Sequence, residues 1–115
     1  MTEGILNFET LKQIVGNSKE EMASFYELFK EQTGLDIQEF NQYIQEKNYT
    51  EISKIAHKLK SSYGSIGSQS GYEVLATLEK ASKENEDFGN IESLYAKFLG
   101  IQMKILSEFE NYIKT

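Results

Sequence analysis

His57 is the one histidine of this 115-residue chain, and it stands in the run Ala56-His57-Lys58-Leu59-Lys60-Ser61-Ser62-Tyr63-Gly64-Ser65-Ile66-Gly67. On a helical wheel of roughly 100° per residue, Ile52, Ile55, Leu59, Ser62, Tyr63 and Ile66 fall on the half opposite His57. The imidazole is therefore expected to face solvent or a partner, where its neutral ring offers a nucleophilic nitrogen. Its own face carries Ser53, Ser61 and Gly64, residues small enough for another protein's backbone to come close. Glycine inside a helix is worse than alanine by about 1 kcal/mol, so Gly64 implies a compensating role.

Charge sharpens the chemistry. The chain has 12 basic and 18 acidic residues, a net charge of -6, yet Ile52 to Tyr72 contains no Asp or Glu. Lys54, Lys58 and Lys60 make that stretch locally positive. Lys54 and Lys60 flank His57 at about 60° to either side on the wheel, placed to neutralise an anion on or near the ring. A phosphoryl group suits them best, because lysine binds phosphate as a mobile point charge. Phosphoryl transfer also depends mainly on positioning and charge neutralisation.

Composition bounds the alternatives. A chain of this length supports one core, and residues 1–115 are expected to form a single helical domain. There is no Pro and no Cys, which favours helices and removes disulfides, zinc ribbons and thiol catalysis. Met1-Thr2-Glu3-Gly4 lacks a basic stretch followed by an apolar run, and no apolar run approaches spanning length. The expectation is a soluble, cytoplasmic protein without membrane partners, and Asn48-Tyr49-Thr50 is a coincidental glycosylation sequon. The acidic balance argues against nucleic acid, which needs a broad basic surface.

Helical periodicity runs through nearly the whole chain. A short helix is expected over Phe8 to Val15, ended by Gly16-Asn17-Ser18, and Ser18 with Glu21 suits a capping box. The next helix buries Met22, Phe25, Tyr26 and Phe29 and stops at Gly34; another follows from about Leu35 to Lys47. Thr50 is the expected N-cap of the His57 helix. A further helix uses Tyr72, Leu75 and Leu78 inward and ends in Glu84-Asn85-Glu86-Asp87, and the last starts near Asn90. The expected fold is all-α, an antiparallel four-helix bundle with a short additional N-terminal helix. The seven Phe and seven Tyr are read as core filler.

Ala56-His57-Lys58-Leu59-Lys60, followed by Gly64 and Gly67 and then by Leu75, Leu78 and Glu79, closely resembles the signature of histidine-containing phosphotransfer (HPt) domains. The resemblance extends over most of Leu11 to Lys83. One departure is Ser61, where the family usually has Gly directly after the motif lysine; a small residue is kept, so altered partner fit is expected rather than lost activity. Membership would imply a phosphorelay intermediate of two-component signalling, in which His57 accepts a phosphoryl group from a receiver-domain aspartyl-phosphate and passes it to another receiver domain. Lys60 would hold the phosphoryl oxygens, with Lys58 or Lys54 assisting. In a hairpin turning near Gly67 to Ser70, residues 79 to 83 return beside His57, where Glu79 could orient the ring and Lys83 add charge. Ser61, Gly64 and Gly67 would be the small residues of the docking surface. The implied partners are response-regulator receiver domains, including those of a hybrid sensor kinase, with the chain itself a monomer. No cofactor or metal is expected in this chain; Mg²⁺ is expected in the partner receiver domain.

Other chemistries fit less well. No G-x-x-x-x-G-K-[ST] or G-x-G-x-x-G run is present, so the chain is expected to be a phosphoryl carrier without an autonomous kinase site. A di-iron bundle needs Glu-x-x-His pairs from two helices, which one histidine cannot supply. Ser53 and Ser61 lack an orienting carboxylate for hydrolase work. The remaining alternative is a non-catalytic interaction domain that has the bundle without phosphotransfer.

Overall fold

The computed structural model describes residues 6–114; the stretch Met1-Thr2-Glu3-Gly4, read above for a targeting signal, lies outside them. Five helices and no strand occur among the described residues: α1 Phe8–Val15, α2 Lys19–Glu46, α3 Tyr49–Ser65, α4 Gln69–Lys83 and α5 Phe88–Lys114. Side-chain caps start the first four helices. Asn7 caps α1 by accepting from the backbone N–H groups of Glu9 and Thr10, and the Ser18 hydroxyl accepts from the Glu21 N–H at 3.0 Å. Ser68 caps α4 through the Gly71 N–H. Such caps satisfy donors that no intrahelical carbonyl reaches.

Three boundaries differ from expectation. Gly34 does not end a helix: α2 runs through it unbroken for 28 residues. Phe29, Thr33, Asp36 and Phe40 are all buried, one continuous inward stripe at helical spacing. Packing along that stripe outweighs the modest propensity cost of one glycine. Asn48, not Thr50, caps α3, its side-chain oxygen accepting from the Glu51 N–H, because Lys47 in the left-handed region (φ 54°) ends α2 and leaves Asn48 next in line. Finally, α5 begins at Phe88 rather than near Asn90.

A methyl group added at Gly34 would meet nothing within 4 Å, and no left-handed φ is required there. Gly34→Ala is therefore expected to raise stability by about 0.5–1 kcal/mol. Urea denaturation of the purified chain measures it.

The four long helices pack antiparallel around one hydrophobic core. The α2–α5 register is marked by Tyr26 Oη donating to Glu110 Oε2 at 2.8 Å, Gln102 Nε2 donating to Thr33 Oγ1 at 2.9 Å and Tyr95 Oη donating to Asn41. Phe29, Phe40, Tyr63, Tyr95, Phe98 and Phe109 form a chain of ring contacts through the interior. Half of the aromatics are buried in the core and most of the others pack against it half-buried, whereas Tyr72 is exposed. Inside this core Tyr63 donates its hydroxyl to Gln102, and burial pushes that phenol's pKa up. The polar chain Tyr63–Gln102–Thr33 satisfies groups that would be costly to leave unpaired, and ties α3 to α5 and α2. The face of α3 that carries His57 is thereby fixed outward.

Candidate functional site

The site is built by the α3–α4 hairpin. Its turn depends on Gly67, whose φ of 78° lies in the left-handed region, and a Cβ there would come within 2.7 Å of Asn7 Cβ and 3.0 Å of the Asn7 carbonyl oxygen. Gly67 therefore shapes the hairpin and lets residue 7 pack against it; the sequence expectation of a docking residue missed this internal role. The chain then returns at a register that sets Tyr72 against Gly64 and Glu79 beside His57.

His57 projects from the middle of α3 with 67% of its side chain exposed. Its Nδ1 lies 2.9 Å from Glu79 Oε2. Lys60 Nζ donates to the other carboxylate oxygen, Oε1, at 2.8 Å, and Lys83 Nζ donates to Oε2 at 3.1 Å. Glu79 is buried, so one carboxylate with little access to water serves the imidazole and two ammonium groups. Lys60 is the leading cause that holds the Glu79 pKa down to about 2, against opposing desolvation; Lys83 and His57 add to the effect. In turn Lys60 is raised, first by its hydrogen bond to Glu79. Two cations against one anion leave a net positive charge beside the ring.

This has a consequence in acid. Because the Glu79 pKa is lower in the folded chain than its ordinary 4.5, its contribution to stability is complete above the unfolded value and disappears as pH falls through about 2. Glu79→Gln is expected to lower stability at pH 6, with the gap from wild type closing between about pH 5 and 2. Urea unfolding at a series of pH values checks this; a gap independent of pH would assign the loss to shape rather than charge.

The other lysines are engaged elsewhere. Lys58 Nζ is 2.9 Å from Asp36 Oδ1 of α2, and Lys54 pairs with Glu51 one turn back on its own helix at 3.3 Å. The Lys58 pKa is raised, chiefly by that hydrogen bond. Asp36 was missed at the sequence level, although a carboxylate in the apolar stripe of α2 was a visible signal of a buried anion that needs a cation from a neighbouring helix.

Of the small residues expected on the His57 face, Ser61 is exposed, but Ser53 is buried against α4. Ser53 lines a cleft of about 370 Å³ with Ser82, Lys83 and Lys54. Ser62, expected inward, is exposed. Gly64 lies beneath the ring of Tyr72, a residue expected in the core that is 39% exposed.

Chemically, the ring is oriented by a carboxylate at Nδ1, is open to an approaching partner, and has a paired but solvent-reachable cation on Lys83 and a more enclosed one on Lys60. A carboxylate accepts, so in the neutral ring this contact favours the tautomer with the proton on Nδ1 and the lone pair on Nε2. Among the described residues no group of three or more His, Cys, Asp or Glu side chains is arranged to hold a metal ion. No described helix is long and apolar enough to cross a membrane.

A family model described as "Hpt domain" matches residues 24–110. Comparison with curated proteins and with solved structures gives no significant match. The matched span contains α3, α4 and most of α2 and α5, including every residue of the His57–Glu79 cluster.

Proposed function

The chain belongs to the Hpt domain family, phosphocarrier modules of two-component phosphorelays that interact with response-regulator receiver domains, and from this premise we propose that His57 is the phosphoacceptor, taking a phosphoryl group from one receiver domain's aspartyl-phosphate and delivering it to another. The contact between His57 Nδ1 and Glu79 Oε2 at 2.9 Å carries this reading. It holds the proton on Nδ1 and directs the Nε2 lone pair toward the exposed side. In the transfer, Nε2 attacks phosphorus, the bond from phosphorus to the aspartyl oxygen breaks, and the aspartate leaves as carboxylate. The ring becomes a phosphorylated imidazolium whose Nδ1–H remains bonded to Glu79.

We assign the phosphoryl oxygens to Lys60 and Lys83. An ammonium has three donors, and each of these lysines gives one to Glu79, so donors remain for a second anion close by. Lys58 and Lys54, held by Asp36 and Glu51, are left outside the phosphate contact. Mg²⁺ belongs to the partner's acidic pocket and not to this chain, which supplies the nucleophile and the cations rather than a kinase site.

The experiment is incubation with a phosphorylated receiver domain carrying labelled phosphate. Label should move to this chain and be lost in acid but retained in alkali, as expected for a phosphoramidate. Absence of transfer to this chain from a panel of receiver domains would favour a bundle that only binds partners. An acid-stable label would place the phosphate on a hydroxyl instead.

A further inference from the structure

We propose that Tyr72 is the positioning residue for Lys60: its ring, seated over Gly64, closes against the lysine and keeps the ammonium on Glu79 beside His57. Its effect on transfer rests on the phosphotransfer reading above, whereas the arrangement of the three side chains does not.

Three otherwise unrelated oddities meet at this point. Gly64 is a helical glycine in α3, disfavoured by backbone entropy, and its φ does not require glycine. What it provides is room: a Cβ at position 64 would stand 3.1 Å from Tyr72 Cδ2, closer than side chains ordinarily tolerate. Tyr72, in the first turn of α4, is a large aromatic left 39% exposed. Lys60, finally, is only 21% exposed, against 59% for Lys58 and 64% for Lys83. Its Nζ lies 5.9 Å from the centroid of the Tyr72 ring, within the reach of a cation–π attraction.

One arrangement explains all three. Lys60 reaches from α3 to Glu79 on α4, and a four-carbon stem would ordinarily sample many rotamers over that distance. The ring forms a wall beside the ammonium, and the missing side chain at position 64 lets the ring come down onto α3. The gain is preorganisation: a cation already in place where phosphoryl charge arrives need not be ordered at the moment of transfer. Neither Tyr72 nor its fit to Gly64 touches the reacting atoms, so the role is one of position alone.

The test uses the full chain with Tyr72→Leu, Tyr72→Phe and Gly64→Ala, and two readouts. In the unphosphorylated protein, acylation of individual lysines by an amine-reactive reagent is followed by peptide mass spectrometry. Tyr72→Leu should speed acylation of Lys60 several-fold with Lys58 and Lys80 unchanged, Tyr72→Phe should keep the wild-type rate, and Gly64→Ala should resemble Tyr72→Leu. In transfer from a phosphorylated receiver domain, Tyr72→Leu should slow the reaction by about 3- to 10-fold, with no further slowing when Lys60 is already Ala. Unchanged acylation of Lys60 in Tyr72→Leu would overturn the proposal. So would an equal slowing with and without Lys60, which would mean that Tyr72 acts on partner docking. If wild type accepts no phosphoryl group, the phosphotransfer reading fails, and the acylation pattern still decides whether Tyr72 holds Lys60.

Discussion

His57→Gln is expected to abolish phosphoryl acceptance while leaving helix content and melting temperature near wild type. The ring is mostly exposed and, among the described residues, its side-chain hydrogen bond is to Glu79, which keeps Lys60 and Lys83 as partners when the imidazole is gone. Surface substitutions of this kind ordinarily change stability by about 0.5 kcal/mol or less. Glutamine keeps a polar side chain but has no nucleophilic nitrogen, since its amide lone pair is delocalised into the carbonyl. Labelled phosphate from a phosphorylated receiver domain, read beside a circular-dichroism melt, measures both halves. Retained uptake would move the acceptor to another residue, and a collapse of helicity would make His57 structural.

The second large effect separates two lysines only two residues apart. Lys60→Ala should slow transfer by about 10- to 100-fold, the scale seen when a positioned donor to developing charge is removed, and should also lower stability near neutral pH, because the buried Glu79 loses its leading cation and keeps only Lys83 and His57. Lys58→Met should lower stability without slowing transfer. Its ammonium is the cation on Asp36, a carboxylate buried in the α2 stripe, and stranding that charge should cost about 1–2 kcal/mol while transfer stays close to wild type. Stopped transfer assays and urea denaturation on both variants give a two-by-two result. Equal slowing by both substitutions would mean that the two lysines act as a common positive field, and the assignment of the phosphate to Lys60 would fall.

Much of this contrast was not visible in the chain itself. Lys54, Lys58 and Lys60 form a run with no acid between Ile52 and Tyr72, which suggested three cations available to one phosphate. Folding supplies a carboxylate to each from a different direction: Glu51 from the preceding turn, Asp36 from α2 and Glu79 from α4. Only at Lys60 and Lys83 is that carboxylate also the partner of His57. Glu79 was within reach of sequence reasoning because a tight hairpin at Gly67 brings residue 79 back beside 57. Tyr72 was not, since an aromatic at helical spacing with Leu75 and Leu78 reads as core. Gly34 misled for a related reason, because a local breaker signal was weighed without the packing that overrides it.

By itself, then, the sequence determined the aliphatic stripe that turns inward on α3 and that His57 lies off it, though not the burial of Ser53 or the exposure of Ser62 and Tyr72. A stripe such as Ile52, Ile55, Leu59, Tyr63 repeats with the helical period, and the free energy of burying it scales with apolar area whatever it packs against. It also determined the hairpin, through a glycine able to adopt a left-handed φ, and it carried the family signature. The tertiary structure decided the partners of the charges, the seat of Tyr72 over Gly64 and the unbroken course of α2. Lysine and glutamate side chains are long and rotatable, and several partners lie within reach of each; which one is taken depends on the register of helices far apart in sequence, and that register is set by the packing of the whole core.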